Sequence, residues 1–164
     1  MITVRQFTKN DFPAVQEIYR QGINSGNATF ETQVKPWQQW HQAMLEPCRL
    51  VAEKDESILG WASLSPISAR AVYSGVAEVS IYIADSAQGQ GIGRQLMSQL
   101  VTMSEAHNIW TLQAAIFPEN KASIHLHQKH GFQVLGVRKH LGKLKGIWRD
   151  VVLMERRSTQ VGTD

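Results

Sequence analysis

Apolar residues recur along the chain with two periods, one helical and one extended. After Thr8-Lys9-Asn10-Asp11, a capping-box pattern, Phe12, Val15, Ile18 and Tyr19 repeat at helical spacing. That spacing predicts a first helix ending near Gly22, preceded by a strand over residues 2–5. Residues 24–35 are polar and read as a loop. Pro36 suits the opening turn of a second helix, with Trp37, Trp40 and Met44 on one face. Residues 49–53 and 58–64 flank a polar turn and predict a hairpin. Residues 77–83 are rich in β-branched side chains and predict a strand; 84–91 is a turn. A long helix follows over 92–107, with Ile92, Leu96, Leu100 and Met103 on one stripe. Residues 110–116 form the next strand. A short helix then starts after Pro118-Glu119-Asn120 and stops at Gly131, a good left-handed cap. Strands over 132–137 and 148–155 close the chain. An early hairpin and late strand–helix–strand units predict an α/β or α+β fold with a mixed central sheet. No repeat or linker divides the chain, so residues 1–157 read as one domain and 158–164 as a loose tail.

Composition narrows the field. The chain has 164 residues, 43% of them apolar and 19% charged, which suits a globular domain with a full-sized core. A lone cysteine, Cys48, rules out an internal disulfide and a cysteine-based zinc site. No stretch reaches the roughly 18 apolar residues of a membrane helix. The start, Met1-Ile2-Thr3-Val4-Arg5, lacks the basic-then-apolar plan of a signal peptide, and a cytoplasmic protein is expected. The net charge of +3 is unevenly spread. Residues 1–120 carry 8 Lys/Arg against 11 Asp/Glu, and residues 121–164 carry 9 against 3. A basic end can meet an anion or simply face solvent. Its lysines are interrupted by His140, Leu141, Gly142 and Leu144, which is a poor pattern for a nucleic-acid binder.

The most informative stretch is the turn Gln88-Gly89-Gln90-Gly91-Ile92-Gly93-Arg94, set between a strand and a helix. Glycines let backbone amides approach a ligand closely. The first turn of a helix adds unpaired N–H groups and partial positive charge. Together they suit a phosphate or pyrophosphate, and Arg94 can add charge. The spacing fits neither the dinucleotide fingerprint nor the Walker pattern, because Arg94 stands at the third glycine of the first and no Gly-Lys-Ser/Thr follows. Taken alone, the turn is equally compatible with a flexible connection that binds nothing.

Gln88-x-x-Gly91-x-Gly93 resembles the Q/R-x-x-G-x-G/A signature of the GNAT N-acetyltransferases, whose loop holds the pyrophosphate of acetyl-coenzyme A. Asn120 to Phe132 is similar to the family's later N-x-x-S-x-x-L-(Y/H)-x-x-x-G-F segment. Residues 77–83 resemble the T-V-E-x-S-V-Y-V strand of the phosphinothricin (or arsinothricin) acetyltransferase branch. Ala28-Thr29-Phe30-Glu31-Thr32 resembles its A-T-F-D-T loop, and Lys145-Gly146-x-Trp148-x-Asp150 its K-x-G-x-W-x-D ending. The likeness runs in order over residues 2–155. It implies a GNAT fold, with a twisted mixed sheet of six to seven strands and about four helices. It also implies acetyl transfer from acetyl-coenzyme A to the primary amine of a small amino-acid-like molecule, with no metal, and a homodimer. Ile81, Tyr82 and Ile83 would then lie along the pantetheine arm. Gln88, Gly89, Gln90, Gly91, Ile92, Gly93 and Arg94 would hold the pyrophosphate, and Asn120 and Ser123 would border the cofactor. Glu78 falls on the branch's general base, and His127 stands near the departing thiolate. Phe30 and Tyr73 are candidates for the substrate wall. Where the branch carries an arginine for an acidic substrate, this chain has Ser74; Arg70 is the nearby candidate to replace it.

The chemistry agrees with these types. An ammonium has no lone pair, so transfer needs a base, and a carboxylate in an apolar strand is a better one. The competing reading pairs Glu78 with a basic neighbour. His127 can give a proton to a thiolate. His125, His127 and His130 could suggest a metal, but His125 leaves the shared helix face and no carboxylate completes a set. Cys48 lies far from every motif and reads as a buried small residue. Competing functions are acetylation of another small amine, acetylation of a protein N-terminus or lysine, and a non-catalytic acyl-coenzyme A module.

Overall fold

A computed structural model describes all residues, 1–164. Seven strands form one sheet in the order β1-β2-β3-β4-β5-β7-β6. They are β1 (Thr3–Gln6), β2 (Arg49–Lys54), β3 (Ser57–Pro66), β4 (Val76–Ile83), β5 (Thr111–Ile116), β6 (Gln133–Leu144) and β7 (Ile147–Arg157). Four helices, α1 (Phe12–Ser25), α2 (Trp37–Ala43), α3 (Ile92–Ala106) and α4 (Lys121–Lys129), cover it. The mixed α/β class and its element count are those expected from the sequence.

Alternation along β3 distributes the packing. Trp61 faces Trp40 of α2 and Tyr19 of α1, while Gly60 faces Ile92 of α3, so helices cover both sides. The apolar stripe of α3 buries Ile92, Leu96, Met97 and Leu100, and Leu64, Leu112 and Met154 meet it from the sheet. Each such side chain contributes about 1.5–3 kcal/mol on burial.

The feature that creates a site is a parting of strands. β4 and β5 are parallel but pair only at Val76–Thr111, Ala77–Leu112 and Glu78–Gln113. Beyond that rung β5 follows β7, while β4 stays with β3 through Ile83. The edge of β4 over residues 79–83 thus has no ladder partner on its β5 side.

Three sequence readings need correction. α1 runs past Gly22 and ends at Gly26, which has φ +76°. Gly22 is a packing glycine, since a Cβ there would stand 2.7 Å from the Tyr82 ring. β6 and β7 form a longer hairpin than the two short strands expected, so the basic segment 138–144 is mostly strand. Asp150 holds its irregular turn by accepting from the His140 N–H at 2.9 Å and from Lys139. The tail is anchored: buried Ser158 donates to Glu105 at 2.6 Å, and Arg157 donates to the Ser158, Val161 and Gly162 carbonyls.

Candidate active site

Glu78 is the last paired residue of β4 before the strands part. Gln113 Nε2, across the rung on β5, donates to Glu78 Oε1 at 3.0 Å. Oε2 is left as the open acceptor. The carboxylate has no basic partner, so the structural pairing considered from the sequence is absent.

A cavity of about 370 Å³ opens beside Glu78 and passes through the gap in the sheet. Val79, Ser80, Ile81 and Tyr82 line it from β4, and Ala114 to Phe117 from the β5 side. Asn120, Ser123 and His127 close the far wall. The near wall is aromatic. Tyr82 stacks on Trp61 at 5.1 Å and meets Tyr19 edge-on at 5.0 Å, and Phe30 packs against Phe117 at 4.8 Å. Burial pushes the Tyr82 phenol above its ordinary pKa, which keeps it neutral.

The glycine turn lies past the end of β4. Gly89 and Gly91 hold φ of +75° and +77°, and a Cβ on Gly89 would meet nothing within 4 Å. Gly91 caps α3 without any side-chain bond to the first-turn amides. Those N–H groups are open, and the Arg94 guanidinium sits beside Gly91. Ile92 buries its side chain in the core, so only its backbone faces the turn. Gln88 braces the turn, donating to the Ile83 carbonyl at 3.0 Å.

Asn120 caps α4 by accepting from the Ser123 N–H. His127 is 2% exposed and its Nδ1 lies 2.7 Å from the Ser123 carbonyl. A carbonyl only accepts, so Nδ1 carries the hydrogen and Nε2 is an acceptor. Burial lowers the imidazole pKa below its ordinary 6.5. His127 therefore rests neutral, and the proton-donor role suggested by its residue type is not the one its surroundings favour. The folded protein disfavours a proton that the unfolded chain accepts, so this group's stabilisation is complete above about pH 6.5 and is lost as pH falls toward the lower folded value. His127→Gln should flatten the fall in melting temperature between about pH 7 and about pH 5. An unchanged slope would place the acid-sensitive group elsewhere.

Arg70 and Tyr73, expected at the substrate, are not in the cavity. Both are exposed on the β3–β4 connection, with Arg70 stacked 5.3 Å from the Tyr73 ring centroid. Phe30 is in the wall as expected. Sequence reading missed Tyr19, Trp61 and Gln113, which belong to separate elements and come together only in the fold. Cys48 is buried, with its thiol pushed up to about 11 and therefore unreactive.

The family model described as the Acetyltransferase (GNAT) family matches residues 12–132. The chain belongs to the GNAT acetyltransferases. It is 37% identical over 161 residues to a phosphinothricin N-acetyltransferase of Alcaligenes faecalis, covering 94% of this chain and 81% of that one. It is 29% identical to an L-methionine sulfoximine/L-methionine sulfone acetyltransferase of Pseudomonas paraeruginosa, over 93% of this chain and 92% of that one. Its fold superposes on a phosphinothricin acetyltransferase of Sinorhizobium meliloti, solved in complex with AcCoA, with a TM-score of 0.88 and 28% identity, covering 99% and 91% of the two chains. No helix is long and apolar enough to cross a membrane, and no three metal-ligating side chains gather.

Proposed function

We propose that this GNAT enzyme acetylates the amino group of a small amino acid of the kind its relatives are named for, phosphinothricin or methionine sulfoximine, with Glu78 as proton acceptor. The observation that carries the reading is the junction at Glu78, where one unpaired carboxylate oxygen borders a cavity that runs through the opening of the sheet.

Acetyl-coenzyme A is the co-substrate of the family, and the residues fit it. The unpaired edge of β4 over residues 79–83 would hold the pantetheine arm, with Asn120 facing it. Gly89, Gly91 and the uncapped first turn of α3 would hold the pyrophosphate, with charge from Arg94. When bound, the coenzyme supplies the thioester whose acetyl group passes to the amine nitrogen as the thiol departs.

The chain's own residues prepare the amine. Glu78 takes the proton that the ammonium must lose, directly or through one water. Gln113 fixes the carboxylate by occupying Oε1, which leaves Oε2 to receive that proton. The aromatic wall of Tyr19, Trp61, Tyr82 and Phe30 excludes water and holds the substrate's apolar part. His127 serves as a neutral wall and acceptor. The reading includes a cytoplasmic setting and a second copy of the chain, for which edge strand β6 offers exposed Val134, Leu135 and Val137.

The test is thiol release from acetyl-coenzyme A across a panel of amines: phosphinothricin, methionine sulfoximine, methionine sulfone, plain amino acids and a peptide with a free N-terminus. Amino-acid-dependent release with an N-acetyl product is expected. Release with the peptide alone would move the substrate to proteins. Coenzyme binding without release for any amine would make the chain a non-catalytic module.

A further inference from the structure

The cavity's charges are few and unequal. Among the residues that line it, Lys35 alone carries a fixed positive charge. Two carboxylates, Glu31 and Glu78, line it as well, and His127 is held neutral. Two cations outside this lining are committed elsewhere. Arg149 donates to the Gly26 carbonyl, Asn27 and Glu119 and lies 4.1 Å from the Phe117 ring centroid. Arg70 is on an exposed loop over Tyr73.

Lys35 is held in place but its ammonium is unspent. Gln16 Nε2 donates to its backbone carbonyl at 3.0 Å, and Pro36 next to it caps α2. Its Nζ stands 5.4 Å from the Tyr19 ring centroid. Its nearest carboxylate, exposed Glu31, is 3.8 Å away, too far for a hydrogen bond and weak as a surface pair. Three N–H donors thus remain for a ligand. Tyr19 meets Tyr82, and Tyr82 shares a strand face with Glu78, so ammonium and carboxylate border the same aromatic wall. The four-carbon stem lets the ammonium follow a carboxylate two bonds from the reacting amine.

We propose that Lys35 binds the substrate's carboxylate, and that the cavity selects amino acids with one carboxylate and an uncharged side chain over those with a second anionic group. The inference rests on acetyl transfer to an amino acid, as read above. A second anion finds no further cation among the lining residues, and Glu31 and Glu78 repel it. This sets the chain's preference toward the sulfone and sulfoximine side of its relatives and away from phosphinothricin.

The experiment compares kcat/KM for L-methionine sulfone, for its descarboxy amine 3-(methylsulfonyl)propylamine, and for phosphinothricin, in the parent enzyme, Lys35→Met and Lys35→Arg. The read-out is the ratio of amino acid to descarboxy amine. In Lys35→Met this ratio should fall about 10- to 100-fold, the worth of a charge-assisted bond. Lys35→Arg should recover most of it. Both amines are measured on one preparation, so a partly misfolded variant lowers both rates and leaves the ratio unchanged. The parent should use phosphinothricin at least about 10-fold less well than the sulfone. An unchanged ratio in Lys35→Met overturns the carboxylate assignment. Phosphinothricin used as well as the sulfone overturns the single-anion selectivity. A parent enzyme that treats the descarboxy amine as well as the amino acid overturns Lys35 while leaving acetyl transfer intact; one that acetylates none of the three overturns both readings.

Discussion

Glu78→Gln should lower kcat by about 100-fold or more while coenzyme A binding stays within about 2-fold. The exchange keeps the side chain's shape and removes its basicity. Gln113 can still donate to the remaining carbonyl oxygen, so the rung between β4 and β5 survives. The loss should shrink at alkaline pH, where a growing share of the substrate's amine loses its proton unaided. Steady-state rates at rising pH, with coenzyme affinity measured by calorimetry, check both parts. A variant as active as the parent at neutral pH would mean that the amine arrives already deprotonated or that another group removes the proton.

Gly91→Glu should weaken coenzyme A binding by about 100-fold or more, combining like-charge repulsion with lost amide contacts. Gly91 holds φ +77° at the N-cap of α3, and its open amides face the site of the pyrophosphate. A glutamate there brings a side chain and a negative charge to an anion site, and strains the backbone as well. Gly91→Asn separates these effects, because Asn tolerates the left-handed region and adds no charge. Its loss of affinity should be much smaller. Titration of both variants with coenzyme A is the measurement. Equal losses would assign the effect to backbone strain, and no loss in either would remove the pyrophosphate from this turn.

Local pattern made most of the fold legible. The stripe Ile92, Leu96, Leu100 predicts α3 because a helix with one buried face must repeat that way, and the glycine turn before it is a local signal. The pairing of β4 with β5 was not legible, because nothing in 79–83 says that the ladder stops at Glu78. Gly22 misled the reading of α1: it reads as a helix end, but it lies inside the helix, where the Tyr82 ring of a distant strand leaves no room for a side chain. The hairpin of β6 and β7 extends into residues 138–147, which lie outside both strands read from the sequence. Glu78, Asn120 and Ser123 were found through sequence motifs and line one cavity, while the glycine turn found the same way lies past the end of β4, outside that lining. Arg70 was chosen by nearness in sequence and lies outside the cavity. Lys35, Tyr19 and Trp61 went unmarked, since their part comes from three elements meeting around one space. His127 was placed correctly on α4, but only its burial and its bond to the Ser123 carbonyl reveal a neutral ring.

The central claim is that the parting of β4 and β5 brings coenzyme and amine together at Glu78. A crystal structure of the ternary complex with coenzyme A and L-methionine sulfone tests it most directly. The account predicts the coenzyme's thiol in the gap beyond the Glu78–Gln113 rung and the amine facing Glu78 Oε2, directly or through one water. An amine bound away from Glu78, or a coenzyme lying outside the gap, would contradict it.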